Sequence, residues 1–330
     1  MIMKKYDPIP IEEIRAAQKR IKDVIIRTPL VKLNVIDSPA KIYLKPETLQ
    51  PVGSFKIRGA CNAMRKADPD DLQNGVWTIS GGNHGQGVAY TANLLGLDCT
   101  VFVPDFIAKT KIDAMERMGA EVRVMPFPSE GDMGDAWEKF LNPNTYKNVK
   151  GCFIHPFSDP AVMAGQGTIG LEIIEDLPDV DAVVVPYGGG GLCCGVGSAI
   201  KALKPEVSVY GCQPDTGASL AASFKAGKPV EIDFKQSFVE SAGAPFVYPE
   251  MWSLAKQVLD GAVVASIEDT ANAVRLLAER NRIIAEGAGA ISVAAALAGK
   301  AGSGKIVCIV SGGSIDLEKL VKILQGKIPE

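Results

Sequence analysis

Lys56 stands in the first turn of a segment that reads as a helix, Ser54-Phe55-Lys56-Ile57-Arg58-Gly59-Ala60. A strand-like run, Ile42-Tyr43-Leu44-Lys45, and a Pro/Gly turn lead into it. Ser54 has the character of a helix N-cap. A lysine at such a helix start feels the positive end of the helix dipole, which favours its neutral form. A neutral amine is the form that makes a Schiff base with a carbonyl. The same pattern also describes an ordinary solvated lysine, so the rest of the chain must decide.

Other residues suited to chemistry fall at the ends of apolar runs. Gly188-Gly189-Gly190-Gly191-Leu192 follows the run at 181–186 and precedes a helix predicted to begin near Leu192. Successive glycine N–H groups at a helix N-terminus make an anion site, and phosphate is the natural guest. The spacing is not GxGxxG, so a dinucleotide is not favoured. Ser80-Gly81-Gly82-Asn83-His84 follows another run. Its N–H groups and the Ser80 hydroxyl are suited to a carboxylate, and Asn83 can donate to a phenolic oxygen; a merely capped helix start is the alternative. Ser311, after the run Lys305–Val310, can meet a ring nitrogen or cap the next helix. Residues 299–305 nearly spell a Walker A loop. Ile306 stands where Ser or Thr is needed and a strand follows, so this stretch reads as a turn.

The positioning elements alternate. Residues 75–80, Cys99–Pro104, Glu121–Met125, 181–186, 207–210 and Lys305–Val310 read as short strands, and helices are predicted over 83–96 and 108–119. This is the pattern of buried parallel strands with helical crossovers, an α/β architecture of open twisted sheets. Ligands in such sheets bind at the carboxyl ends of strands, where the glycine clusters fall. Residues 132–150 are polar and turn-rich and read as a connection.

The chain has 330 residues, 47% of them hydrophobic and 22% charged, the composition of a globular enzyme of one or two domains. A net charge of −3 without charge blocks argues against a nucleic-acid partner. No apolar stretch reaches the ~20 residues that span a bilayer. The opening residues lack a signal-peptide core, so the cytoplasm is the expected location. Seven cysteines without a CxxC spacing read as small buried residues in a reducing compartment, and two histidines do not suggest a metal site.

Taken together, these motifs resemble fold-type II pyridoxal-phosphate enzymes, and within them the threonine/serine dehydratase and serine racemase family. The motifs occur in the family's order. Besides those above they include Gly82-Asn83-His84-Gly85-Gln86-Gly87, His155-Pro156-Phe157, Ala164-Gly165-Gln166-Gly167-Thr168, Glu286-Gly287-Ala288-Gly289-Ala290 and Ser311-Gly312-Gly313. The resemblance implies two open twisted parallel-sheet domains with pyridoxal 5'-phosphate in the cleft between them. Residues 1–66 and 153–330 would form the large domain and 74–150 a small mobile one. Lys56 would be the Schiff-base lysine and the Cα base, with Phe55 packed on the cofactor ring and Asn83 on its 3-hydroxyl. Gly188, Gly189, Gly190, Gly191 and Leu192 would hold the phosphate, and Ser311 would face the ring nitrogen, with Glu286 and Gly312 also at the cofactor. Ser80, Gly81, Gly82, Asn83 and His84 would bind the substrate carboxylate. The implied activity is dehydration of a small β-hydroxy amino acid, threonine or serine, to a 2-oxo acid and ammonia in a homodimer.

Some residues depart from the family pattern. Gly81 stands where its racemases carry an acid/base serine, which disfavours an isomerase. Gln213 stands where a metal-binding glutamate is usual, so no metal is expected, and Asp215 and Asp233 read as exposed carboxylates. The last helix leaves no length for a regulatory domain, so feedback by isoleucine is not expected. Phe127, Met133 and Phe157 could instead shape a pocket for a bulkier substrate such as phenylserine, whereas hydroxyaspartate lacks an evident arginine. A β-replacement enzyme and a non-catalytic phosphate-binding protein are the remaining alternatives.

Overall fold

In the computed structural model residues 5–127 and 133–329 are described. Ten strands are assigned among them: β1 Val31–Lys32, β2 Lys41–Pro46, β3 Val76–Ile79, β4 Cys99–Pro104, β5 Glu121–Met125, β6 Cys152–Phe153, β7 Ala182–Pro186, β8 Ser208–Pro214, β9 Gly261–Ala265 and β10 Lys305–Val310. They form a six-stranded sheet in the order β1-β2-β10-β7-β8-β9 and a four-stranded sheet in the order β5-β4-β3-β6. Every pairing is parallel except the edge pair of β1 and β2. This is the two-sheet α/β architecture expected from the sequence.

Strand periodicity sorts the side chains into layers. In the large sheet Val183, Val185, Val307 and Ile309 enter one core, while Ala182, Val184, Ile306 and Cys308 enter the core on the opposite face. The small sheet repeats the device with Val76, Val101 and Val103 on one face and Trp77, Ile79 and Phe102 on the other. Both faces are covered, which is why these strands read as continuous apolar runs. Six of the seven cysteines are buried.

Some expected boundaries move. The helix carrying Lys56 is Lys56–Lys66, and Ser54 does not cap it. Ser54 is buried, with its hydroxyl unpartnered, and its backbone is drawn into a bridge with Gly312. The stretch read as a connection contains the helix Met133–Leu141, since Trp137 and Phe140 give it an aromatic face packed with Phe127. β8 runs four residues beyond the predicted 210, to Pro214, and β9 was not foreseen. The near-Walker stretch is a turn between the helix Gly287–Leu297 and β10.

Beneath the Lys56 helix lies a buried group of four charges. Arg58 pairs bidentately with Glu47 (Nε to Oε2, 2.8 Å; Nη2 to Oε1, 2.9 Å). It grips Glu172 in the same way at 2.7 and 2.9 Å, and also donates to Thr168. Lys45 meets Glu172 at 2.6 Å and donates to the Thr28 carbonyl. The four side chains are almost wholly out of solvent. They tie the end of β2, the Lys56 helix and the helix Pro160–Asp176 into one block. Removing one charge from such a set strands its partners. Glu172→Gln is therefore expected to lower stability by about 3 kcal/mol, seen in urea unfolding as a lower midpoint with an unchanged slope.

Candidate active site

The carboxyl ends of β2 and β10 are clasped by backbone. Phe55 N donates to the Ser311 carbonyl at 3.0 Å, and Gly313 N donates to the Gly53 carbonyl at 2.9 Å. This antiparallel contact, rather than a side-chain cap, fixes where the Lys56 helix starts. The Lys56 amine donates to the Pro156 carbonyl at 2.8 Å and lies 5.3 Å from the centre of the Phe55 ring. Lys56 is partly accessible, as a residue facing a cleft must be. Enough protein surrounds its amine for burial to push its pKa down to about 8, against which Glu286 acts weakly in the other direction.

Asn83 opens the helix Asn83–Leu95 after β3. Its amide donates to Glu286 Oε1 at 2.7 Å, while its own oxygen is buried without a partner. Burial raises the Glu286 carboxyl to about 7, and the Asn83 bond offsets only part of that rise. Glu286 is delivered by an unusual turn: a π-helical segment Leu277–Asn281 ends at Arg282 with φ +60°, and Glu286 N then bonds the Gly312 carbonyl at 3.1 Å. A side chain at Gly312 would press on Glu286, Asn83 and Ser54, so these residues share one small volume. The Ser311 hydroxyl donates to the Ala288 carbonyl at 3.3 Å, which leaves its lone pairs as acceptors.

The glycine loop follows β7. Gly190 takes φ +93° and the helix Gly191–Leu203 begins at once, one residue before the predicted start. A Cβ on Gly189 would overlap the Phe157 ring, one on Gly190 would sit 2.8 Å from the Tyr187 hydroxyl, and one on Gly191 would sit 2.8 Å from the Phe157 carbonyl. Only glycine fits this lining. Leu192 offers backbone alone, since its side chain is in the core. A cavity of about 550 Å³ lined by Lys32, Ser38, Lys41 and Lys305 opens elsewhere, at the amino ends of the large-sheet strands.

In the Ser80 loop the Ser80 hydroxyl accepts from Gly82 N at 3.3 Å. A Cβ on Gly81 would overlap the Ile107 side chain. His84 Nε2 donates to the Ile154 carbonyl at 3.0 Å, and burial with the neighbouring Lys56 holds the imidazole well below its ordinary pKa. The ring is therefore neutral, with Nδ1 buried and unpartnered, and what His84 would offer a carboxylate is its first-turn N–H. Two residues named for a bulkier pocket are otherwise engaged. Phe157 backs the glycine loop, and Phe127 lies in the aromatic cluster of Trp137 and Phe140. The Met133 side chain lies outside the described residues. Gln213 is buried, and its amide accepts from Leu220 N at 2.6 Å, while Asp215 and Asp233 are exposed.

This set suits a phosphorylated aldehyde ring. The glycine cradle and helix start would take a phosphate, the dry amine would take the carbonyl, and the unpaired Asn83 oxygen and second amide hydrogen remain for a polar ring substituent. Comparison with known proteins agrees. Residues 21–312 match the family of pyridoxal-phosphate dependent enzymes, and the chain belongs to it. Its cofactor is pyridoxal phosphate.

Among its relatives, the L-threonine ammonia-lyase of Thermotoga maritima is 41% identical over 96% of this chain and 78% of its own length. The catabolic L-threonine dehydratase of Escherichia coli K12 is 36% identical over 96% of this chain and 97% of its own. The structure of maize serine racemase superposes with a TM-score of 0.86 at 29% identity, covering 96% of this chain and 97% of that one.

Sequence reasoning missed the Pro156 carbonyl, because every residue carries one and nothing in the side chains marks it. It also missed the Asn83–Glu286 contact, which joins residues far apart in the chain.

Because the folded Glu286 carboxyl titrates near 7 rather than 4.5, the folded state keeps a proton that the unfolded chain releases. Its contribution to stability is complete below pH 4.5 and is lost as pH rises through 7. Thermal melts of the cofactor-free protein should show Glu286→Gln gaining on the parent between those values. Equal offsets at pH 4.5 and pH 8 would contradict this assignment.

Proposed function

We propose that this chain is an ammonia-lyase acting on threonine or serine, removing the β-hydroxyl and then ammonia to leave a 2-oxo acid. The observation that carries the reading is the pairing of one dry amine, Lys56, with a glycine at position 81 whose side-chain space Ile107 fills. Lys56 holds the cofactor and, once the substrate amine replaces it, takes the proton from Cα as general base. When bound, the cofactor supplies the electron sink for that step. The first-turn N–H groups after Ser80 and Gly82 orient the substrate carboxylate, and the Gly188–Leu192 backbone fixes the phosphate. Asn83 would face the cofactor's 3-hydroxyl and Phe55 its ring. Ser311, a neutral group, would meet the ring nitrogen without forcing it to be protonated. A weaker electron sink follows, which favours loss of the β-hydroxyl over long-lived carbanion chemistry.

A two-base isomerase needs a second proton donor on the far side of Cα. The crowding of Gly81 by Ile107 argues against one at that position. The names of the relatives above, threonine ammonia-lyase and dehydratase, support the same substrate class.

The cofactor-binding domain in this reading is residues 1–66 and 153–330, with residues 74–150 as the small domain that closes over the substrate. β3, β4 and β5 fall in the second set and the six-stranded sheet in the first, while β6 joins the smaller sheet from just beyond residue 150. Lys111, after β4, reaches Glu240 of the large unit at 2.6 Å, a contact that closure would make. The reading extends to a homodimer in the cytoplasm with no metal and no nucleic-acid partner. No described helix is long and apolar enough to cross a membrane.

Purified protein with pyridoxal phosphate should release 2-oxobutyrate from L-threonine and pyruvate from L-serine, with little D-serine formed. Lys56→Ala should abolish both activity and the visible absorbance of the bound cofactor. D-serine formation rivalling pyruvate release would overturn the lyase assignment.

A further inference from the structure

Lys56 and the glycine cradle come from different elements, so neither sets the distance between them. The segment that touches both is the turn His155-Pro156-Phe157-Ser158, between β6 and the helix Pro160–Asp176. Its Pro156 carbonyl accepts the Lys56 amine at 2.8 Å. Its Phe157 ring lies where a Cβ on Gly189 would fall, and its Phe157 backbone lies against Gly191.

The turn is held by His155. Nδ1 accepts from Phe157 N at 3.1 Å and from Ser158 N at 2.8 Å. A nitrogen that accepts twice carries no proton. This is the arrangement of an Asx turn, with an imidazole nitrogen where an asparagine oxygen would be. The imidazole also packs edge-on against the Phe157 ring, with centroids 4.8 Å apart and planes at 89°, while Tyr248 flanks Phe157 at 4.8 Å. Phe157 is thereby held toward the glycines.

We infer that His155 is a positioning residue: by capping this turn it spaces the Lys56 amine from the Gly188–Gly191 cradle at the span the cofactor requires. The inference rests on reading Lys56 and the cradle as the two ends of the cofactor site.

Two amide substitutions separate this role from a general effect on folding. In His155→Asn the side-chain oxygen can replace Nδ1 as the turn acceptor. In His155→Gln the same amide lies one methylene further out and cannot. Each is titrated with pyridoxal phosphate by visible absorbance, and the Lys56 linkage is trapped with borohydride and located by mass spectrometry. Melting of the cofactor-free proteins is followed in parallel.

His155→Asn should bind within about threefold of the parent, whereas His155→Gln should bind about tenfold more weakly and trap less cofactor on Lys56, as expected for loss of two backbone hydrogen bonds. Phe157→Leu keeps the cap but withdraws the ring from Gly189. It should weaken binding several-fold, and it carries the test if His155→Gln does not fold. Parent-like affinity and trapping in His155→Gln or Phe157→Leu would overturn the inference, as would equal loss in the Asn and Gln variants at unchanged melting temperature. A parent protein whose visible band persists in Lys56→Ala would instead bring down the site reading, and this inference with it.

Discussion

An amine that must react near neutral pH has to be dry without being paired to a charge. Lys56 meets that constraint through a backbone carbonyl. Pro156 accepts its hydrogen bond but holds no negative charge to keep the ammonium form in place. A carboxylate in the same position would stabilise the charged amine and raise its pKa. The carboxylate that is near, Glu286, is itself shifted to about 7 by burial, so close to neutrality part of the population of each group is uncharged. In the proposed reading, charge would enter this cleft with the ligand's phosphate and carboxylate, and helix N-termini and glycine N–H groups would receive them.

Dryness at Lys56 depends on a rigid floor. Residues two apart on a helix point to nearly opposite sides. Lys56 thus faces the cleft while Arg58 faces the scaffold, where Glu47 and Glu172 hold it from two directions. A buried charge set is a weak source of stability compared with apolar packing, because its desolvation offsets much of the attraction. What it supplies is directional. The planar guanidinium accepts one arrangement of the two carboxylates, and that arrangement fixes the helix start against β2 and the helix Pro160–Asp176. The backbone clasp between residues 53–55 and 311–313 adds the third side.

Much of this was legible in the sequence. Apolar runs located the central strands because strands covered on both faces must be apolar at every position. Glycine runs located the tight turns at the strand ends, and at 189–191 a Cβ would collide with Phe157 or Tyr187. What escaped detection lacked such a marker. Ser54 carries a good capping side chain, yet tertiary backbone pairing fixed the helix start two residues later. Residues 132–150 looked polar on average, while Trp137 and Phe140 at helical spacing were enough to build a packed helix there. Nothing in the sequence marks Arg58, Glu47, Lys45 and Glu172 as one set; only their meeting in space makes burial tolerable. Pro156 contributes a carbonyl, and backbone atoms carry no sequence signature.

The choice between elimination and inversion of Cα is usually framed as a question of which acids and bases are present. Here it is also a question of volume. A Cβ at position 81 would meet the outer end of the Ile107 side chain, which is partly buried and packed against the apolar cluster under β4 and the helix Lys109–Arg117, so a serine there requires Ile107 to shift. On the proposed reading, the space beside Gly81 is taken up by an isoleucine that has no role in proton transfer itself. In the proposed reading, reaction outcome would depend on packing beside the smaller sheet as well as on Lys56, since Ile107 rather than a hydroxyl lies beside the backbone at position 81.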